Sequence, residues 1–312
     1  MKPTAKSSVN TLAPYQLFFP LGLFNAILAV GVWLTQNQSG LGTPTFLIHS
    51  RLIMGGFLWS FIVGFLMTSI PRMTGTSSSN KTEYMIASIL LLGQTVFPWQ
   101  LDARLFYRNQ ILLTCFLITF GVLRISRATK PMPVFFSHVG IAMLLALLGS
   151  FFYFIGDSRM GLHLYHIGTV LVLVLGLGTR FFSFLSGLPS IFEDTKSTKM
   201  RLLFHGSGLL VGVLLFFAGL GHFQAYLALG LVSLVYLLFF WKVQRPSNRP
   251  SALKYGVRIV ATMIPVSFFC TWLQPTMAIT WLHLLFIGCF SLITFSVATR
   301  VTLAHGSYPI KI

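Results

Sequence analysis

Four histidines near the starts of long apolar segments are the residues of this chain with the most specific chemistry. They are His49, His163, His166 and His283, in a sequence of 312 residues with eight histidines and only five acidic residues. A neutral imidazole can ligate haem iron or copper without bringing a charge into a low-dielectric site. These histidines are therefore candidate ligands, with haem b as the first cofactor to expect and copper as the second.

The sequence around two of these histidines indicates an internal repeat. The segment from His163 reads HLYHIGTVLVLVLGLGTRFF, and the segment from His283 reads HLLFIGCFSLITFSVATRVT. In both, Leu follows the histidine, Ile-Gly comes next, and an arginine lies 17 residues after the histidine, at Arg180 and at Arg300. Such a match between distant segments is typical of related helices in a repeated architecture.

A third segment, from His49 to Arg72, has the same histidine, glycine and terminal arginine with looser spacing. If each segment is one helix, four helices form one period, and each repeat brings a histidine to the same depth in the membrane. His163 and His166 are three residues apart and so share one helix face. The repeat predicts that imidazoles from three helices lie at one level.

The arginines at the far ends of the three segments have two interpretations, and both stay open. Arg72, Arg180 and Arg300 can extend to lipid headgroups while their stems stay in the apolar layer. They can also pair with an anion such as a haem propionate. His305, just after the last segment, is a further candidate metal ligand or a polar residue of the membrane surface.

Helix packing is the ordinary alternative for each histidine. A single histidine in a membrane helix more often hydrogen-bonds to a neighbouring helix than ligates a metal. This alternative applies with most force to His138 and His205, which are expected near the other membrane face. His222 is expected in a solvated loop.

Composition indicates which elements hold these side chains. Hydrophobic residues make up 55% of the chain, charged residues 9%, and mean hydropathy is +0.80. A soluble domain needs roughly 25% charged residues to cover its surface, so this chain must face lipid. We predict an all-α polytopic transmembrane bundle of about ten spans, a single integral membrane domain over 1–312 with a short cytoplasmic tail, 1–14. The predicted spans are 17–35, 46–71, 84–99, 106–124, 133–155, 161–185, 200–220, 224–243, 253–272 and 277–303.

The net charge of +17 is spread over short clusters of Lys and Arg between the apolar segments. This placement indicates membrane orientation and not a nucleic-acid partner. If the N-terminus is cytoplasmic, nearly every cytoplasmic loop is basic, whereas the opposite loops hold few basic residues. We therefore expect a multi-pass protein of a bacterial cytoplasmic membrane with both termini in the cytoplasm.

Three segments of the chain resemble the NnrS family of membrane proteins. They are PTFLIHSRLIMGGFLWSFIVGFLMTSIPRMTG, GLGTRFFSFLSG and WLHLLFIGCFSLITFSVATRVTLAHGSYP. The first resembles the family's early helix, the second its mid-chain GGR segment, and the third its C-terminal span. In this chain Arg51 occupies the place of the second histidine of the family's early pair.

The resemblance implies a protein associated with haem, copper and the response to nitric oxide. It points to a set of functional positions spread over the chain: His49, Arg72, Arg180, His283, Arg300 and His305. Nitric oxide or another small gas is the expected small-molecule partner, together with the lipid bilayer and a partner complex in the membrane.

Other classes of protein stay open from the sequence alone. A redox subunit similar to the haem-copper oxidases or nitric-oxide reductases would need further metal ligands beside His163 and His166. A transporter would need coupling groups at mid-membrane, where acidic residues are not expected. In a non-catalytic assembly subunit, the histidines would only connect helices. Whether the protein is an enzyme is not decided by these patterns.

Overall fold

A computed structural model of the protein describes residues 12–35, 43–188, 197–246 and 252–305. Within these residues the chain forms ten helices and no strand. We number the helices in chain order: α1 Pro14–Gly31, α2 Thr45–Thr74, α3 Lys81–Val96, α4 Ala103–Ile125, α5 Phe136–Phe154, α6 Ser158–Ser186, α7 Thr198–Leu220, α8 Gln224–Trp241, α9 Ala252–Leu273 and α10 Pro275–Ala304.

Nine of these helices are long and apolar enough to cross a membrane, within the described residues. The exception is α3, which has 16 residues and continues into a short 3-10 turn, Phe97–Trp99. A span needs about 20 residues, and α3 approaches that length only together with this turn. The turn returns the chain to the start of α2, where the Pro98 carbonyl accepts a hydrogen bond from Arg51. The all-α polytopic architecture predicted from composition is confirmed, and each predicted span corresponds to one of the ten helices. Most of the predicted tail, 1–14, lies outside the described residues.

Three acidic residues lie at the starts of helices. Asp102 and Asp157 lie just before α4 and α6, where their carboxylates accept hydrogen bonds from backbone N–H groups of the first turn. Glu83 instead lies in the first turn of α3, where it completes a capping box with Asn80. Its carboxylate also pairs with Arg124 of α4 at 2.7 Å, so the ion pair joins two neighbouring helices.

Three helices are much longer than the rest and follow the four-helix period. Helices α2, α6 and α10 have 30, 29 and 30 residues, about 45 Å of rise at 1.5 Å per residue. Each contains a π-helical segment near its N-terminal end: Leu52–Leu58, Leu162–Gly168 and Leu284–Ser291. π-Helical turns are rare and frequently occur at functional sites. The sequence repeat therefore corresponds to a repeat in backbone geometry.

The repeat-related helices differ in how far they are buried. Helices α2 and α6 lie inside the bundle, where Trp59 and Leu171 are fully buried. Helix α1 packs along α2, and α5 packs along α6. Helix α10 packs mainly on α9 and leaves large apolar side chains such as Ile287 exposed. The first two repeats therefore form the interior, and the third lies at the edge.

We predict that Gly149→Ala destabilises the bundle by about 1–3 kcal/mol, since an added methyl group has no room to fit. A Cβ at Gly149 would lie 2.8 Å from Cα of Tyr165, where α5 crosses α6. Gly140→Ala, on the same helix, is the matched control because its Cβ would meet nothing within 4 Å. The measurement is thermal unfolding in detergent. Equal melting temperatures for the two variants would contradict the close crossing of α5 and α6.

Candidate functional site

The starts of α2, α6, α8 and α10 lie at the same end of the bundle, which we call the histidine end. Ser50 of α2 contacts His166 of α6, and His163 contacts Tyr226 of α8. The indole N–H of Trp272, at the end of α9, donates to Gln224 at the start of α8. All four predicted ligands, His49, His163, His166 and His283, lie at this end.

Two repeat-related histidines have the same hydrogen-bond geometry. Nδ1 of His163 lies 2.8 Å from the carbonyl oxygen of Arg159, and Nδ1 of His283 lies 2.7 Å from that of Ile279. In both cases the carbonyl belongs to the residue four positions earlier. A carbonyl only accepts, so Nδ1–H donates and Nε2 keeps its lone pair. Metal-bound histidines commonly have this arrangement, because the second bond fixes the tautomer and the ring.

His49 has a related environment at the end of α1. Its Nδ1 lies 2.8 Å from the carbonyl oxygen of Ala29 and 3.1 Å from the indole nitrogen of Trp33. Nδ1 either donates to the carbonyl or accepts from the indole. In both cases Nε2 of this partly exposed ring forms no hydrogen bond within the described residues.

The Nε2 atoms of the repeat-related histidines have different neighbours. Nε2 of His163 accepts a hydrogen bond from the Tyr226 hydroxyl at 2.6 Å, and the ring is buried. His283 is exposed on α10, and its Nε2 has no hydrogen-bond partner in the described part of the chain. An incoming metal would therefore have to displace Tyr226 at His163, but no protein group at His283.

Both ring nitrogens of the buried His166 form hydrogen bonds. Nε2 lies 3.0 Å from the Ser50 hydroxyl, and Nδ1 lies 3.1 Å from the Tyr153 hydroxyl. A neutral imidazole donates through one nitrogen and accepts through the other, so both contacts are satisfied together. His166 therefore connects α6 to both α2 and α5.

Three tyrosines, of which Tyr107 and Tyr165 are buried, cluster beside His166, and sequence reasoning did not single them out. The rings of Tyr107 and Tyr153 are stacked, with centroids 4.4 Å apart and an interplanar angle of 3°. Tyr165 meets both rings edge-on, and its hydroxyl donates to Gln110 at 2.9 Å. The available signal was the presence of hydroxyl-bearing aromatic residues inside apolar segments, where each needs a partner.

A second polar cluster lies toward the other end of the bundle. His138 is fully buried on α5, and its Nε2 lies 3.3 Å from the Tyr236 hydroxyl. His205 of α7 reaches the same region through Ser137, whose hydroxyl lies 2.6 Å from Nδ1 of His205. Thr179 of α6 completes the cluster, 3.3 Å from Tyr236. These contacts match the helix-packing interpretation of His138 and His205.

The candidate arginines lie far from the four histidines. Arg72 and Arg180 are exposed, and Arg300 lies over the Phe184 ring at 4.6 Å from its centroid. A separation of 17 residues corresponds to about 25 Å along a helix. The arginines would therefore contact a group at the opposite end of the bundle from His163 and His283. The side chain of His305 lies outside the described residues.

The four histidines do not form one multidentate metal site. In the described ranges, no three His, Cys, Asp or Glu side chains lie close enough together to hold a metal ion. Each ring has its own set of neighbours, and at His283 a fixed tautomer with an available Nε2 suits ligation by a single imidazole. The residues therefore fit the binding of haem iron by one protein ligand from this end of the bundle.

An apolar cavity lies where the three long helices meet. Its volume is about 90 Å³, and its lining comes from α1, α2, α6 and α10. Lining residues include Phe61, Leu66, Leu173, Val174, Ile293 and Val297. The cavity is partly open to its surroundings, its lining is apolar, and its volume has room for a diatomic gas.

These features define a polytopic helical membrane protein with buried imidazole and tyrosine clusters at two levels. The family model described as NnrS protein matches residues 11–312, essentially the whole chain. The chain therefore belongs to the NnrS family. No curated protein and no solved structure matches it.

We predict that Tyr153→Phe lowers the free energy of unfolding by about 0.5–2 kcal/mol, because Nδ1 of His166 loses its partner. The same substitution in a His166→Phe background should cost less, since the shared bond is already absent. Tyr255→Phe is the control, because Tyr255 is exposed. Equal losses from Tyr153→Phe in both backgrounds, measured by chemical denaturation in detergent, would show that the bond is not formed.

Proposed function

We propose that this protein binds b-type haem at the histidine end and acts in the response to nitric oxide. Its membership of the NnrS family supports this role. The observation that carries the proposal is the hydrogen bond from Nδ1 to a backbone carbonyl in both His163 and His283. This bond fixes the tautomer in which Nε2 carries the lone pair, and at His283 this lone pair has no protein partner in the described part of the chain.

The haem iron would be held by one or more of His49, His163, His166 and His283. Haem iron, when bound, supplies a centre that coordinates a diatomic gas. The protein would contribute a neutral imidazole that brings no charge of its own to the iron. The cavity lined by α2, α6 and α10 supports a role for a small gas, since it is apolar and of matching size. Copper is a second cofactor that the exposed imidazole of His283 would suit.

A second candidate function is that of a non-catalytic assembly subunit in the membrane. The observation in its favour is that His163 and His166 already hydrogen-bond to Tyr226, Ser50 and Tyr153 on neighbouring helices. In this function the imidazoles connect helices and the partner is another membrane protein. The two candidates differ in whether the purified protein contains haem.

We expect a Soret band in wild-type protein purified after haem-sufficient expression, and a shift of that band when nitric oxide is added. Alanine substitution of the axial ligand should remove most of the haem. The variants to compare are His49→Ala, His163→Ala, His166→Ala and His283→Ala, with copper content measured in parallel.

His222→Ala is the matched control for this series, because His222 is an exposed histidine outside the clusters. It should keep the full haem content. Wild-type protein without a Soret band would contradict the haem proposal and favour the assembly subunit. Full haem in all four variants would show that the ligand lies elsewhere in the chain.

We also propose that the protein spans a bacterial cytoplasmic membrane with both termini in the cytoplasm. The support is the concentration of Lys and Arg in alternate loops. A green fluorescent protein fused after Ile312 should therefore fluoresce, and alkaline phosphatase fused there should be inactive. The same reporters inserted at Gly221, between α7 and α8, should give the opposite pattern. Active phosphatase fused at the C-terminus would show that this terminus lies outside the cytoplasm and would contradict the proposed orientation.

A further inference from the structure

Arg51 carries a buried positive charge near the histidine end. Its side chain is 4% exposed, and Nη1 donates to the carbonyl oxygens of Pro98 at 3.2 Å and Gln100 at 3.1 Å. Its guanidinium also lies beside the Tyr107 hydroxyl. The described residues contain one ion pair, which joins Glu83 to a different arginine. The charge of Arg51 therefore has no carboxylate partner among them.

The two carbonyl groups account for only one edge of the guanidinium. They follow the end of α3, where the helix dipole is negative and favours a cation. Nε of Arg51 is buried and has no hydrogen-bond partner. A buried charged group with an unsatisfied donor is costly in a membrane. Capping of α3 alone therefore does not explain the side chain.

A second unsatisfied group lies one helical turn away. Gln94 of α3 is fully buried, and neither its amide nitrogen nor its amide oxygen has a partner. The amide lies against Gly55 in the π-helical segment of α2, four residues after Arg51. A Cβ atom at Gly55 would collide with the Gln94 side chain. The absence of a side chain at Gly55 therefore makes room for the Gln94 amide. Arg51 of α2 and Gln94 of α3 thus both have buried polar atoms without a partner, and Gln94 lies against α2 one helical turn after Arg51.

We propose that Arg51 and Gln94 form a binding site for a planar monovalent oxyanion. The Nε–H of Arg51 has no partner, and with the adjacent N–H of Nη2 it forms the guanidinium edge that matches two oxygens of a carboxylate or a nitrate. The anion is monovalent because a single negative charge balances the single buried positive charge of Arg51. The amide N–H of Gln94 supplies a further donor, and the Tyr107 hydroxyl closes the site on the side of α4. The ligand is a free small oxyanion or the carboxylate of a larger bound molecule.

The test is thermal unfolding of the purified full chain in detergent with sodium formate or sodium nitrate, against sodium chloride at equal ionic strength. Wild-type protein should show a saturable rise in melting temperature with formate and nitrate, since a ligand that binds only the folded state stabilises it. Arg51→Lys keeps the charge and the cap of α3 but lacks the planar fork, so its affinity should fall at least about tenfold.

Gln94→Met is the second variant, and it should fold because it removes two unsatisfied atoms from the core. It should melt above wild type without anion and respond more weakly to formate. Arg104→Gln, at an exposed arginine of α4, is the matched control and should respond like wild type. A formate response that is absent in wild-type protein prepared without haem, or unchanged in both Arg51→Lys and Gln94→Met, would overturn the site.

Comparing protein prepared with and without haem separates the two sources of the oxyanion. A free oxyanion predicts the same formate response in both preparations. The carboxylate of a bound cofactor predicts a response only in protein prepared without haem, and a lower haem content in Arg51→Lys. The anion site can be tested separately from the proposed function. A formate response of haem-free protein would support the site even if the wild-type protein showed no Soret band.

Discussion

The structure depends on one constraint, that hydrocarbon offers no hydrogen bonds to polar groups. Helices satisfy the backbone, and the remaining polar side chains must pair with one another inside the bundle. His166 does so by bonding to Ser50 and Tyr153, and His163 by bonding to Tyr226. Each of these bonds joins side chains of different helices, so the polar residues also fix the order in which the helices pack.

Polar pairing occurs at two levels on the same two helices. Helix α5 carries His138 and Tyr153, and α6 carries His166 and Thr179. A separation of 13 to 15 residues on each helix places the levels about 20 Å apart. The core between them is apolar, with fully buried residues such as Leu171. The bundle therefore has two separate polar layers, and a ligand of one layer is insulated from the other.

The spans could be predicted from the sequence because apolar length alone decides whether a segment crosses a membrane. The depth of each histidine followed from its position in a span. The partners could not be predicted, because contact with Tyr226 or Tyr153 depends on the rotation and crossing of separate helices. The same limit explains Arg51, whose neighbours at Pro98 and Gln100 come from a segment more than forty residues away. The predicted span began at residue 84 and so left out Glu83, which lies in the first turn of α3, because a capping carboxylate resembles a loop residue in sequence.

The repeat has a consequence for the choice of ligand. His163 and His283 present Nε2 in the same way, but α6 lies inside the bundle and α10 lies at its edge. Tyr226 therefore occupies the lone pair of His163, whereas the lone pair of His283 faces outward. Ligation at His163 or His166 would require loss of a helix–helix hydrogen bond, and ligation at His49 or His283 would not. On this physical ground His49 and His283 rank first as ligands, and the two buried imidazoles rank first as connections between helices.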